Sequence, residues 1–193
     1  MVVNTQEFHS GIELETGDKL RGKSYDLVID ERPDQLYQEF MDEYGFDQDT
    51  VLEDATEFVD EEIKHIYEIA DERGLDPGEL DRERREIQGD ISEVRLSDVW
   101  TREYRGLNTG ICRERAATLH LLLDELGIDS DYHSGYQNER SDEGHSWVQT
   151  DFNTVLDPSA DKYVFERGRA DLKPGKVVVH SGSTRDVFGQ VVS

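Results

Sequence analysis

The sequence predicts an α+β fold in which helices come first and strands second. Apolar residues recur at helical spacing through the first two thirds of the chain, and the pattern changes to alternation after Gly127. A helix that begins at Cys112 joins the two parts. Segregated helices and strands are typical of α+β domains. We therefore expect a helical part over about 33–127 and a sheet part over about 130–192.

Periodicity and breaker residues set the expected elements. The longest helical pattern runs from Val51 to Arg73, where Gly74 is suited to end it. Residues 1–24 are polar and rich in glycine, and we interpret them as an arm that is either flexible or made of short edge strands. Residues 25–193 are expected to form one domain. The predicted helices are 33–44, 51–73, 79–88, 97–104 and 112–126, and the predicted strands are 25–30, 130–136, 145–150, 154–156, 163–165, 177–180 and a weak one at 187–192.

Acidic residues dominate the composition. The chain has 45 acidic and 21 basic residues, a net charge of −24, and only six lysines. Disorder is disfavoured because apolar periodicity runs through most of the length, and a patch for a cationic partner is disfavoured because the acid is spread over residues 7–171. At about molar salt the Debye length is only about 3 Å, so surface repulsion is screened. We interpret the acidity as adaptation to a high-salt cytoplasm, as in a halophilic archaeon or its virus.

The same composition argues against several partners. Nucleic-acid binding needs clustered Lys and Arg, and the densest basic run, Arg82-Glu-Arg-Arg85, reads as a solvated helix face. There is no apolar run near 18 residues and no secretory signal pattern at the start. The one cysteine has no second thiol with which to form an internal disulfide. We expect a cytoplasmic protein with a free thiol, bound to neither nucleic acid nor membrane.

Three chemistry-bearing residues occur in order on consecutive elements. Cys112 opens an amphipathic helix, His145 begins a strand and Asp157 ends the next strand. A helix N-terminus and a nearby imidazolium both lower the pKa of a thiol. A histidine serves as base toward the thiol and as acid toward a leaving amine, while an aspartate holds its tautomer. The order and spacing favour one nucleophilic site.

Other residues near this site have weaker assignments. The backbone N–H of Cys112 is the natural first oxyanion donor, and Asn108 and Trp100 are candidates for the second. Trp147 and Tyr136 are candidates for the substrate cleft, although Trp147 also reads as a core aromatic. A metal site built from the three site residues and His133 is the weaker alternative, because CxxC and HxxxH spacings are absent. His120 is expected to be structural.

Residues 106–160 resemble the transglutaminase-like superfamily, whose members have a papain-like fold. The resemblance rests on a glycine, a helix-opening cysteine with an alanine four residues on, Leu-Gly-Ile, Gly-Tyr, His-x-Trp and Asp-Pro. In this chain these are Gly110, Cys112, Ala116, Leu126-Gly-Ile128, Gly135-Tyr136, His145-Ser-Trp147 and Asp157-Pro158.

The resemblance implies a papain-like core in which the nucleophile helix packs on an antiparallel sheet. It also implies that Cys112, His145 and Asp157 form a triad that transfers acyl groups from a peptide or protein amide through a thioester, without a cofactor. Hydrolysis, as in a cysteine protease, is the expected outcome rather than transamidation. Residues 1–95 match no part of the family pattern. The alternative is therefore a catalytically silent fold that serves as a binding or structural component and docks a protein partner through its N-terminal helices.

Overall fold

The computed structural model describes residues 1–4, 11–136, 144–150, 154–159, 177–180 and 183–185. Within these ranges the chain has six helices and three sheets, which confirms the α+β class. The helices are α1 Asp34–Glu43, α2 Val51–Glu62, α3 Ile66–Arg73, α4 Pro77–Gln88, α5 Leu96–Thr101 and α6 Cys112–Glu125. The strands are β1 Val2–Asn4, β2 Lys19–Arg21, β3 Asp26–Val28, β4 Lys64–His65, β5 Glu93–Arg95, β6 Thr109–Gly110, β7 Ser130–Tyr136, β8 Gly144–Thr150, β9 Thr154–Leu156, β10 Val177–His180 and β11 Ser183–Arg185.

The helix predicted over 51–73 is broken in the middle, and that prediction is wrong. Ile63 has an extended backbone and ends α2. The next two residues form β4, which pairs in parallel with β6, a two-residue strand shortly before α6. The His65 imidazole then caps α3 by accepting a hydrogen bond from the Tyr67 N–H. The helical spacing continues across the break although the two helices pack in different places, α2 in the main core and α3 in a smaller cluster with Leu80 and Tyr104. Pairing with β6, a tertiary interaction, overrides the local preference.

A second difference is a four-stranded sheet in the N-terminal half, in the order β1-β2-β3-β5. β3 lies within the strand predicted at 25–30, β1 and β2 agree with the short-strand alternative given for residues 1–24, and β5 was not predicted. Two of the strands lie in the segment interpreted as an arm, where Leu14 and Leu20 are buried. Strands of three residues are too short to show alternation, so the sequence pattern does not reveal them.

The larger sheet has the order β11-β10-β9-β8-β7. Its strands β7, β8 and β9 confirm the predictions for 130–136, 145–150 and 154–156, and β10 confirms 177–180. The expected antiparallel sheet is in fact mixed, because β9 and β10 run parallel. The strands predicted at 163–165 and 187–192 lie outside the described residues. The hairpin of β7 and β8 is paired over seven residues, which fixes which side chains of β8 face α6.

Helix α6 is the centre of the domain. It packs on β7 and β8 on one side and on α1, α2 and α5 on the other. Every residue from Cys112 to Leu123 is buried, so α6 is a core helix and the amphipathic pattern expected for it is wrong. The backbone at Gly110 packs closely against the start of α6. A Cβ at this position would lie 3.1 Å from the Ile63 Cγ2 and 3.2 Å from the Glu114 Cβ, so a larger residue would be crowded.

Charged residues in the core are compensated by one another. Glu114 lies in the first turn of α6 and accepts hydrogen bonds from the Tyr25 hydroxyl and, at 2.7 Å, from the Ile111 N–H. Arg84 of α4 is fully buried and donates to the Tyr25 hydroxyl at 2.7 Å and to Asp81. The reading of Arg82-Glu-Arg-Arg85 as a solvated face is therefore wrong for Arg84 and Arg85, which are buried, and holds for Arg82.

His120 has a structural role in α6, as expected. Its Nε2 accepts a hydrogen bond from the Leu14 N–H at 3.0 Å, so its Nδ1 carries the proton and donates to the Ser130 Oγ at 2.9 Å. Burial lowers the pKa of His120 to about 4, against the opposing effect of Asp124 and Asp131. The imidazole is thus neutral in the folded protein.

Among the described residues, the structure contains no helix that is both long and apolar enough to cross a membrane.

Replacing Arg84 by methionine should destabilise the protein by about 3 kcal/mol or more, because Glu114 would lose part of its buried compensation. The matched control is Arg82→Met on the same helix, where an exposed ion pair to Glu86 is worth about 0.5 kcal/mol or less. Urea unfolding in about molar KCl measures both. Equal losses in the two variants would contradict the buried network.

The neutral state of His120 predicts a loss of stability in acid. Since its pKa is near 4 when folded and 6.5 when unfolded, the unfolded state binds more protons as the pH falls below 6.5. Between about pH 7 and pH 5 the wild type should lose about 2 kcal/mol relative to His120→Gln, which does not titrate. A constant difference between the two proteins would show that His120 is not held neutral.

Candidate active site

Cys112 is the first residue of α6. Residue 111 has an extended backbone before the helix begins, so the Cys112 sulfur lies at the positive end of the helix dipole. The side chain is 6% exposed, and the Sγ lies 4.0 Å from the Gly144 carbonyl oxygen at the start of β8. The single thiol thus lies between the N-terminus of a core helix and the first residues of a neighbouring strand.

His145 is brought to this thiol by the β7–β8 hairpin. It is the second residue of β8 and lies opposite Gly135, which has no side chain to crowd the imidazole from β7. The ring is buried, and a side-chain hydrogen bond to Cys112 is one of the interactions that raise the pKa of His145. Two consecutive residues of β8 therefore interact with the same sulfur, Gly144 through its backbone carbonyl and His145 through its imidazole.

Asp157 follows β9 directly, and β9 pairs antiparallel with β8. This pairing sets its carboxylate beside His145: Asp157 Oδ2 lies 2.7 Å from His145 Nε2. The other oxygen, Oδ1, accepts a hydrogen bond of 2.9 Å from the Ser159 N–H across Pro158, which makes a local turn. Both oxygens of the carboxylate are therefore oriented. The three predicted residues, Cys112, His145 and Asp157, converge in the structure.

The imidazole of His145 favours its charged form. Burial by itself lowers the pKa of His145, but the Asp157 carboxylate and Cys112 outweigh it and raise the value to about 10. Because Nε2 is used by Asp157, the nitrogen available toward Cys112 is Nδ1. An imidazolium held in this way at neutral pH is the partner that a thiolate requires.

Trp147 packs on the histidines of the sheet. Its ring is stacked 5.5 Å from His133 and 6.3 Å from His145, centroid to centroid, with interplanar angles of 13° and 16°. It is fully buried, which favours the core interpretation of Trp147 over the substrate cleft. The side chain restricts the plane of the His145 imidazole. Tyr136 ends β7 opposite Gly144, and its side chain lies outside the described part of the chain.

The two candidates for the second oxyanion donor have different positions. The Trp100 indole N–H donates to the Thr118 Oγ1 at 2.9 Å, which commits this donor elsewhere and excludes Trp100 in this arrangement. Asn108 is half-buried four residues before Cys112, and its backbone carbonyl accepts from the Lys64 N–H. The N–H groups of the first turn of α6 have no acceptor within the helix, so the Cys112 N–H stays the natural first donor.

Two further residues belong to the surroundings of the triad and were not expected from the sequence. Arg115 lies one turn after Cys112, and its buried guanidinium donates to the Ser159 Oγ at 3.1 Å and to Asp60 of α2. Ser159 in turn orients Asp157. The only sequence signal for Arg115 is its place in three consecutive charged residues within an otherwise apolar helix.

The metal alternative finds no support in this geometry. Within the ranges that the structure describes, no three His, Cys, Asp or Glu residues are arranged to hold a metal ion. His133 stacks on Trp147 rather than joining the other three residues.

The arrangement has to be interpreted from its own chemistry, because no protein-family model, curated protein or solved structure matches this chain.

Proposed function

We propose that this protein is a cysteine-dependent acyl-transfer enzyme that acts on a peptide or protein amide. One observation carries the proposal: a buried imidazole, paired to a carboxylate at 2.7 Å, interacts with a thiol at the N-terminus of a core helix. A structural cysteine needs none of these features. Their combination is what nucleophilic catalysis requires.

The reaction begins with the thiolate of Cys112 and the imidazolium of His145. The sulfur attacks the amide carbonyl carbon and forms a C–S bond, while the Cys112 N–H stabilises the oxyanion. The Nδ1 proton of His145 passes to the amide nitrogen, the C–N bond breaks and the amine leaves. A thioester on Cys112 results.

The second half returns the enzyme to its starting state. His145, now neutral, takes a proton from water or from an amine as this attacks the thioester carbonyl. The C–S bond breaks, and the thiolate and imidazolium form again. Asp157 keeps the Nε2 proton in place throughout and stabilises the charged ring. Attack by water gives hydrolysis, the outcome we propose, and attack by an amine gives transamidation.

The transglutaminase-like resemblance supports the same chemistry. The order helix-opening cysteine, strand-opening histidine and strand-ending aspartate agrees with that family pattern, and the helix packs on the sheet that carries the other two residues. We propose a papain-like core on this basis. We also propose that the protein works in the high-salt cytoplasm its acidity indicates, with a peptide or protein as substrate.

Iodoacetamide alkylation against pH should reveal an activated thiol. In about molar KCl, wild-type Cys112 should react well below the free-thiol pKa of about 8.5, and His145→Ala should move the midpoint back toward that value. Midpoints are compared rather than rates, since Cys112 is nearly buried in the wild type and removal of the neighbouring His145 ring changes its accessibility. Intact mass reports the one thiol, with Cys112→Ser as blank. Coincident midpoints near 8.5 would overturn the proposal.

Acylation should likewise depend on the triad. With p-nitrophenyl acetate as an activated acyl donor, we expect the wild type to release p-nitrophenol with turnover, through an acetyl thioester on Cys112 that an acid quench traps as a mass gain of one acetyl group. Cys112→Ser should show neither. His145→Gln should acylate at least about tenfold more slowly at pH 7, because a thiol without the imidazolium has a pKa of about 8.5 and is mostly protonated there, while the p-nitrophenolate leaving group needs no proton. Rates that are equal in the wild type and His145→Gln would favour the alternative, a silent fold that serves as a binding component.

A further inference from the structure

The buried guanidinium of Arg115 is linked to the Asp157 carboxylate through Ser159. Arg115 is fully buried on α6, and among the residues that the structure describes its guanidinium donates to the Ser159 Oγ at 3.1 Å and to the Asp60 carboxylate of α2. Ser159 is also buried, and its N–H donates to Asp157 Oδ1 at 2.9 Å. A continuous path therefore runs from Arg115 through Ser159 to Asp157 and on to His145.

We infer that Arg115 and Ser159 are positioning residues that hold the Asp157 turn in register with the nucleophile helix. This inference rests on the proposed function only for its consequence in catalysis, because the positioning of His145 by Asp157 is itself measurable. Arg115 and Cys112 are three residues apart, so they lie on the same side of α6. Helix α6 thus carries both Cys112 and Arg115, the residue that holds the Asp157 turn.

Asp157 needs a contact that holds it in place, because the strand pairing ends just before it. Asp157 comes after the three-residue strand β9, and beyond β9 its backbone is not part of the sheet ladder. The turn formed with Ser159 orients the carboxylate locally but does not connect it to α6. Arg115 supplies that connection. A small drift of the turn would break the 2.7 Å contact with His145, because hydrogen bonds weaken steeply with misalignment.

The energetic cost of this arrangement also points to a positioning role. A guanidinium removed from water is expensive, and apolar residues of similar volume often hold buried elements together as well or better. Joining α2 to α6 therefore does not require a charge. A forked donor that binds a carboxylate and a hydroxyl at once fixes direction as well as distance.

The test is the pKa of the His145 imidazole, measured by NMR on histidine-labelled full-length protein. The chain has six histidines, and the signal of His145 is assigned by its loss in His145→Gln. Ser159→Ala removes the Oγ that Arg115 binds and changes no charge. We expect the pKa of His145 to fall by about one unit, a tenfold change in its protonation constant. Asp157→Asn serves as the reference for complete loss of the pair and should give a larger fall.

The matched control is Ser97→Ala. The Ser97 hydroxyl and N–H both bind a carboxylate, Asp30, far from the triad, so this variant tests a comparable loss of hydrogen bonding elsewhere. It should lose stability in urea without moving the pKa of His145. An unchanged pKa in Ser159→Ala, as in Ser97→Ala, would overturn the inference.

In Arg115→Met, the direction in which the pKa of His145 moves tests the inference. Removal of a nearby positive charge would by itself raise the pKa of an imidazolium, whereas loss of the Asp157 alignment lowers it. We expect a fall, and a smaller fall in Arg115→Lys, which keeps the charge and one contact. A rise would overturn the inference. If Arg115→Met does not fold, Ser159→Ala decides alone.

Alkylation of Cys112 separates this inference from the proposed function. If the wild-type thiol titrates as an ordinary thiol, the proposed function is wrong, and the NMR comparison still decides whether Arg115 and Ser159 position Asp157. If the wild-type thiol is activated and the profile of Ser159→Ala coincides with it, the function stands and the positioning role fails. We expect the profile of Ser159→Ala to move toward that of Asp157→Asn.

Discussion

Compensation of buried charge at the start of α6 is the interaction on which the rest of the structure depends. Three consecutive charged residues, Arg113, Glu114 and Arg115, are buried there directly after Cys112. Each ion costs several kcal/mol to remove from water, and the cost is offset only when every partner is in place. The partners come from separate parts of the chain: Leu20, Tyr25, Arg84, Asp60 and Ser159. The small sheet, α2, α4 and the Asp157 turn are thereby arranged around one helical turn.

This compensation also bears on the chemistry of Cys112. The Glu114 carboxylate lies two residues from the sulfur, where an uncompensated negative charge would oppose a thiolate. Arg84 and the Tyr25 hydroxyl face that carboxylate from the other side, and its Oε2 satisfies a backbone N–H of the helix start. The helix N-terminus is thus left to act on the sulfur. The structural network and the proposed catalytic pair share one turn of α6 without competing for the same groups.

The site was more predictable from the sequence than the fold around it. Cys112, His145 and Asp157 lie on elements whose signals are local: a glycine before a helix, an alternating strand and an Asp-Pro after a short one. The pairing of the neighbouring antiparallel strands β8 and β9 then brings His145 and Asp157 together, and the packing of α6 on β8 adds Cys112. The break at Ile63 and the burial of Arg84 have no local signal. Both depend on partners from distant parts of the chain, β6 for the first and Tyr25 and Glu114 for the second.

The separation along the chain of these contacts has a consequence for how the molecule forms. The His145–Asp157 pair spans 12 residues, whereas Arg115–Asp60 spans 55 and Tyr25–Glu114 spans 89. Closing long loops costs more entropy and is slower than closing short ones. Helix α6 and strands β7 to β9 can therefore associate early, while the charged residues at the start of α6 stay hydrated until the N-terminal elements dock. We therefore expect water to leave the start of α6 late in folding, so that Cys112 acquires its final surroundings only at that step.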